Sequence, residues 1–171
     1  MGGQQIVPDI PGIDRENVFG IEDILLGRRV IAGREVAVIG GGHVGLEVAH
    51  FLCANNQVTI VEMADEIGAS VYYITKFKLL PLLREAGVTF RTGQAIAAVD
   101  DGSIRLRDTH TGQCTELKAE AVVLAMGSRP DLAARAAFDR NFDHVVYAGD
   151  AVRGGTMLEA NRDAFALAWE F

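Results

Sequence analysis

Cysteine is scarce: Cys53 and Cys114 are the only two, and they stand far apart. Two thiols cannot build a four-cysteine zinc or iron–sulfur site within the chain. Their spacing is not that of a thioredoxin-type C-x-x-C pair, and they read as reduced thiols of a cytosolic protein. Long apolar runs are missing too. No charge-free stretch reaches the ~18 residues of a membrane span. The start, Met1-Gly2-Gly3-Gln4-Gln5, lacks the basic and apolar regions of a secretory signal. There is no Asn-x-Ser/Thr site. A cytoplasmic location is the expectation, with no membrane partner. Positive charge is also short. Sixteen Lys and Arg against 23 Asp and Glu leave a net charge of -7, and the pI is near 5.0. Nucleic acids and anionic membranes need a positive surface, so neither is an expected partner. Disorder is excluded by the 49% of hydrophobic residues, which suffice to bury a core.

Glycine is what the chain has in excess: 19 of 171 residues, about 11% against an average near 7%. Tight turns or close backbone approach to a ligand follow. Residues 1–34, punctuated by Pro8, Pro11 and Gly12, read as irregular with a short helix near Ile21–Leu26 and little core of their own. From Glu35 to Gly40 the run is rich in β-branched residues, the pattern of a buried strand. His43–Leu52 reads as a helix with Val44, Val48, Phe51 and Leu52 on one face. Gln57–Glu62 is a second buried strand, completing a βαβ unit. Residues 70–86 form a second helix, which Pro81 should kink or split. A strand follows at Val88–Phe90. Ala95–Val99, Ile104–Arg107 and Thr115–Leu117 suggest an antiparallel meander. Ala121–Ala125 is another buried strand, residues 130–143 are helix and loop, His144–Ala148 is a last strand, and a helix starts near Thr156. The fold class is α/β: a Rossmann-type three-layer fold with a central parallel sheet and a small antiparallel meander.

The chemistry sits in Gly40-Gly41-Gly42-His43-Val44-Gly45. This is G-x-G-x-x-G placed between a strand and a helix, the context that gives the pattern meaning. Gly40 permits the tight turn, Gly42 leaves room for a pyrophosphate, and Gly45 lets helix and strand pack closely. The helix N-terminus offers free N–H groups and the positive end of its dipole. Glu62 ends the next strand, near the ~20-residue offset of a ribose-binding acid. Its carboxylate would repel a 2′-phosphate, and no Lys or Arg follows before Lys76. NAD(H) is therefore favoured over NADP(H). Nothing at zinc spacing accompanies His43, and no nucleophile–base pair is apparent, so neither a metal nor a catalytic residue is assigned.

The segment Val38–Ala49 resembles the nicotinamide-binding fingerprint of the pyridine nucleotide-disulfide oxidoreductase superfamily. Ala125-Met126-Gly127-Ser128-Arg129-Pro130 resembles its A-x-G-x-x-P strand end, Tyr147–Ala151 its flavin-binding G-D motif, and Ile10–Asp14 its I-P-G segment. Thr59–Glu62 and Tyr72–Lys76 look closest to old yellow enzyme-like NADH:flavin oxidoreductases, the 2,4-dienoyl-CoA reductase and trimethylamine dehydrogenase group. The resemblance implies that Gly40, Gly42, His43, Val44 and Gly45 form the pyrophosphate loop and that Glu62 holds the adenosine ribose. Met63 lies against adenine or is a plain loop methionine. Glu47 approaches the nicotinamide end, partly buried between Leu46 and Val48. Gly127 passes the nicotinamide half, and Asp150 belongs to an FAD site that is incomplete here.

The superfamily's earlier FAD fingerprint is not present, nor is the group's barrel with FMN and an iron–sulfur cluster. The expectation is an excised module: 1–30 a remnant of the flavin-domain connection, 31–130 the NAD(H)-binding domain, 131–171 a remnant of the FAD domain. The chain is expected to stop inside its last helix, at Ala168-Trp169-Glu170-Phe171. Its partners would be the absent flavin and barrel domains. It would orient NADH for hydride transfer to FAD in the whole enzyme, and alone bind NAD(H) without turnover. The alternative is a regulatory NAD-sensing module, which would have no need of the meander, Pro130 or Gly149-Asp150. A scaffold that binds nothing would have no reason to keep Gly42.

Overall fold

The computed structural model describes residues 2–169. Met1, and the Glu170 and Phe171 read above as the end of the last helix, lie outside the described residues. Two compact bodies divide the chain. One is Val7–Met126; the other joins the described residues up to Ile6 with those from Gly127 onward.

The first body is built on a parallel sheet. Its strands are β2 (Val18–Gly20), β3 (Glu35–Ile39), β4 (Gln57–Val61), β5 (Thr89–Arg91) and β9 (Ala121–Leu124), in the order β2-β9-β3-β4-β5. All neighbours run parallel. Side chains alternate across a strand, and here the alternation separates two layers. Val36 and Val38 face a cluster with Leu46, Val48, Ala49 and Leu52, while Ala37 and Ile39 face Ile96, Val99, Ile104 and Leu106. The first layer is helical: α1 (Ile21–Leu25), α2 (His43–Leu52) and α3 (Tyr73–Glu85). The other is an antiparallel meander of β6 (Gln94–Val99), β7 (Ser103–Asp108) and β8 (Cys114–Lys118). The expected three layers are present.

Several expectations need correction. The first 34 residues are not simply irregular. Val18–Gly20 joins the sheet edge beside β9, and Ile24 and Ile31 are buried in the core. The inward face of α2 is Gly45, Leu46, Val48, Ala49 and Leu52, whereas Val44 and Phe51 are exposed. Gly45 lies against the Gly40 carbonyl just after β3, and with that face of the helix inward the two larger residues point outward. Pro81 does not split its helix, which runs unbroken from Tyr73 to Glu85. The one backbone bond that proline forfeits is offset by Leu79, Leu80 and Leu83 packing on the sheet.

In the second body, β1 (Gly3–Gln5) pairs antiparallel with β10 (Ser128–Pro130). Then come α4 (Leu132–Asn141), a 3-10 turn at Gly149–Ala151 and α5 (Met157–Trp169). Asp131 caps α4 by accepting a bond from the Ala134 N–H at 2.9 Å. The expected strand at His144–Ala148 is absent: the segment is irregular. A strand is defined by its neighbour, and among the described residues none pairs with this segment.

Candidate functional site

The site lies at the carboxyl ends of the parallel strands. β3 is followed in sequence by β4 on one side and flanked by β9 on the other. Such a reversal of strand order opens a crevice beyond the strand ends, the usual ligand position in open α/β sheets. The glycine run begins there, directly after Ile39.

Each glycine answers a different steric demand. Gly40 has φ +110°, a conformation L side chains rarely adopt, and a Cβ there would stand 2.3 Å from the Ala125 carbonyl oxygen. A Cβ on Gly45 would stand 1.9 Å from the Gly40 carbonyl oxygen. The packing of α2 on the turn after β3 therefore leaves no room for even a methyl group. Gly42 differs: its φ of -75° suits any residue, and nothing lies within 4 Å of its missing Cβ. The space in front of it is open.

Beside that space stand the first N–H groups of α2. Intrahelical bonding begins with the Leu46 N–H, which donates to the Gly42 oxygen at 3.0 Å. Among the described residues, the N–H groups of Gly42, His43, Val44 and Gly45 have no acceptor. Free donors at a helix N-terminus, next to an open face without a side chain, suit a phosphate. The first turn carries no acidic residue to occupy them.

Glu62, immediately after β4, reaches back to the loop. Its Oε2 accepts from the Gly41 N–H at 2.6 Å, and its Oε1 accepts from the Ala64 N–H at 2.8 Å. Each carboxylate oxygen keeps a second lone pair, so the group that holds the loop can also accept from a ribose hydroxyl. Gly41 is a site residue that the motif left unassigned. A Cβ on it would meet Ile67 Cδ1 at 2.9 Å and Glu62 Cβ at 3.2 Å. The signal was present in the sequence as a third glycine at a position where the pattern tolerates any residue.

The segment after Glu62 is tied down on several sides. The Gly68 N–H donates to the Gly41 oxygen at 2.9 Å, and the Gly93 N–H to the Ala64 oxygen at 2.9 Å. Asp65 Oδ1 lies 2.6 Å from His110 Nε2 across the end of the meander. That carboxylate raises the His110 pKa above 6.5, chiefly through the hydrogen bond and then by charge. A raised folded-state value means that the tether stabilises most below the ordinary imidazole range and is lost as pH rises through the folded midpoint. In a proton NMR titration the His110 ring resonance is expected to titrate above 6.5, returning toward it in Asp65→Asn. A wild-type midpoint at or below 6.5 would contradict the pair.

The structure brings together Gly40, Gly42, His43, Val44, Gly45, Glu47, Glu62 and Met63 at one end of the sheet. Met63 is exposed at 64%. Glu47 is not enclosed between Leu46 and Val48: its side chain is 53% exposed and pairs with His43, Nε2 to Oε1 at 3.0 Å. Gly127 and Asp150 belong to the other body. Gly127 has φ +86° with open space at its missing Cβ. Asp150 is exposed, and its Oδ1 accepts from the Gly155 N–H at 3.3 Å.

A parallel sheet with a glycine-lined helix N-terminus and a strand-end acid defines a dinucleotide-binding protein of the Rossmann type. The comparisons give the family. The model of the pyridine nucleotide-disulphide oxidoreductases matches residues 1–145. The chain belongs to that family and carries the NAD(P)-binding domain of a flavoprotein oxidoreductase. It is 31% identical over 175 residues to the NADH oxidase of Thermoanaerobacter brockii, covering 99% of this chain and 27% of that protein. A structure of 2-naphthoyl-CoA reductase superposes with a TM-score of 0.83 at 26% identity, covering 99% of this chain and 26% of that one. Histamine dehydrogenase from Rhizobium sp. 4-9 shares the fold, with a TM-score of 0.80 at 19% identity over 100% of this chain and 29% of its own. The chain thus spans about a quarter of the length of the relatives it matches. These matches agree with the superfamily and the old yellow enzyme-like group resembled by the sequence. Among the described residues, no helix is long and apolar enough to cross a membrane.

Proposed function

We propose that this chain binds NAD(H) in preference to NADP(H) and presents its nicotinamide to a flavin supplied by a longer polypeptide. Gly40, Gly42, His43, Val44 and Gly45 would hold the pyrophosphate, Glu62 the adenosine ribose, and Met63 the adenine edge. Glu47 and Gly127 would lie toward the nicotinamide, and Asp150 would belong to the FAD side. Residues 31–130 would act as the nucleotide domain, with 1–30 as a remnant of the flavin-domain connection and 131–171 as a remnant of the FAD-binding domain. The bound nicotinamide and flavin supply the hydride chemistry, and this chain supplies binding and orientation. Alone it would bind NAD(H) without turning it over.

The observation that carries the reading is the Glu62 carboxylate, 2.6 Å from the Gly41 nitrogen at the edge of the open glycine face. A ribose seated there would offer its hydroxyls to the carboxylate, whereas a 2′-phosphate would bring like charge against it. Calorimetric titration with NADH, NADPH and FAD tests this. NADH is expected to bind at least about tenfold more tightly than NADPH, since a like-charge juxtaposition costs over ~1.4 kcal/mol. FAD is expected not to compete. In Glu62→Gln the preference should shrink to within about threefold as the repulsion goes, while affinity for both nucleotides falls, because the amide keeps one acceptor oxygen for the two N–H groups of Gly41 and Ala64. Equal affinities in the wild type, or tight FAD binding in the glycine loop, would overturn the assignment.

A further inference from the structure

We propose that His43 is a proton-gated cation for the dinucleotide's pyrophosphate, so that this chain binds NAD(H) more tightly at pH 6 than at pH 8. The inference rests on the nucleotide reading above and adds the residue that regulates it.

Basic residues are scarce around the glycine loop. Between Arg34 and Lys76 the sequence has no Lys or Arg, although this stretch holds the whole fingerprint. It does hold the carboxylates Glu35, Glu47, Glu62, Asp65 and Glu66, and Glu62 stands on the loop itself. A pyrophosphate arriving there meets acidic charge. From this stretch its favourable partners are the N–H groups, the helix dipole and any cation a histidine can supply. Two histidines are available. His50 sits in the last turn of α2, at the wrong end. His43 is the first residue of the helix, beside the free N–H groups of Gly42 and Val44.

The imidazole has a carboxylate beside it. Its Nε2 lies 3.0 Å from Glu47 Oε1 one turn along, and the ring is 49% exposed. In the protonated ring both nitrogens are donors. With Nε2 donating to Glu47, Nδ1–H remains for a phosphate oxygen, and charge-assisted bonds of this kind are the stronger sort.

The other charged groups on elements packed against α2 lie on α1, β3, the end of β4 and α3. On α1, Glu22 pairs with Arg28, and Asp23 accepts from the Gly20 N–H. On β3, Glu35 pairs with Lys118. Glu62 follows β4. On α3, Lys76 is bonded to Glu66, and Lys78, Arg84 and Glu85 complete the set. Carboxylates, lysines and arginines ordinarily keep their charge between pH 6 and 8, and imidazole does not. Binding an anion beside the ring favours its protonated form. By linkage, affinity rises as pH falls through the imidazole range, and a proton is taken up on binding.

The test is calorimetric titration of the chain with NAD+ at pH 6 and pH 8, beside the variants His43→Gln and His43→Lys. NAD+ keeps both pyrophosphate charges over this window. Wild type is expected to bind about fivefold more tightly at pH 6, within the tenfold that ~1.4 kcal/mol represents. In H43Q the two values should agree with each other within about 1.5-fold. H43K should bind tightly at both pH values. Position 43 is exposed, and circular dichroism checks that each variant keeps its fold. As a second readout, the heat of NAD+ binding should vary with the ionisation enthalpy of the buffer, the mark of proton uptake on binding. Affinity independent of pH in wild type, or the same pH dependence in H43Q, would overturn the role of His43 and leave the nucleotide site standing. No NAD+ binding at either pH would overturn both.

Discussion

Gly45→Ala is expected to destabilise the Val7–Met126 body by about 3 kcal/mol, the upper part of the range for overpacking a tight contact. The added Cβ would lie 1.9 Å from the Gly40 carbonyl oxygen and 2.9 Å from its carbon. Both are backbone atoms, so no side chain can rotate away. Gly40 is itself held in place, its N–H donating to the Val61 oxygen at 2.8 Å. Relief requires α2 to lift from β3. That motion loosens Leu46, Val48, Ala49 and Leu52, all 3% exposed or less. The helix-propensity gain of alanine over glycine, up to about 1 kcal/mol, offsets part of the clash. For a chain of this size the thermal midpoint should fall by roughly 6–12 °C. An unchanged or raised midpoint would show that the helix and strand are not held as closely as described.

Gly42→Val, three residues earlier, is expected to do the opposite: keep the fold and lose the nucleotide. The backbone at Gly42 is extended, with φ -75° and ψ -170°, a region open to valine. Nothing lies within 4 Å of the new Cβ, so stability should change by no more than about 1 kcal/mol, the usual cost of a poorer helix cap. The isopropyl group would fill the open face before the N–H groups of Gly42 to Gly45 and hold a pyrophosphate away from them. NAD+ affinity is expected to fall by about a hundredfold, equivalent to ~2.7 kcal/mol. Calorimetry with NAD+ and a urea titration of the same sample measure both quantities. Unaltered affinity would mean that the pyrophosphate is not bound there. The two substitutions separate the packing role of the loop from its binding role.

How much of this was legible in the sequence depends on how local each feature is. The β3–α2–β4 unit was, because its apolar periodicity and glycine spacing are complete within 27 residues of chain, Glu35 to Val61. The meander was legible from its turn residues. Val18–Gly20 was not, since three residues become a strand only when Val122–Leu124 lies beside them. The reverse error occurred at His144–Ala148, where Val145, Val146 and Tyr147 have strand character but no neighbour to pair with. In the site, the offset of Glu62 from the glycines announced an acid at the loop. Its bonds to the Gly41 and Ala64 N–H groups depend on a turn geometry that spacing does not encode. The Asp65–His110 pair joins residues 45 positions apart, with no local pattern to mark it. The His43–Glu47 pair was within reach of the i, i+4 rule for helix faces.

The most direct test of the account is amide chemical-shift mapping of the chain during titration with NAD+. The expected result is saturable shifts concentrated at Gly40 to Gly45, with Glu62 and Met63 moving in parallel, and little change from FAD at those positions. Shifts from FAD at Gly40 to Gly45 with none from NAD+ would contradict the account, because the loop would then belong to the flavin.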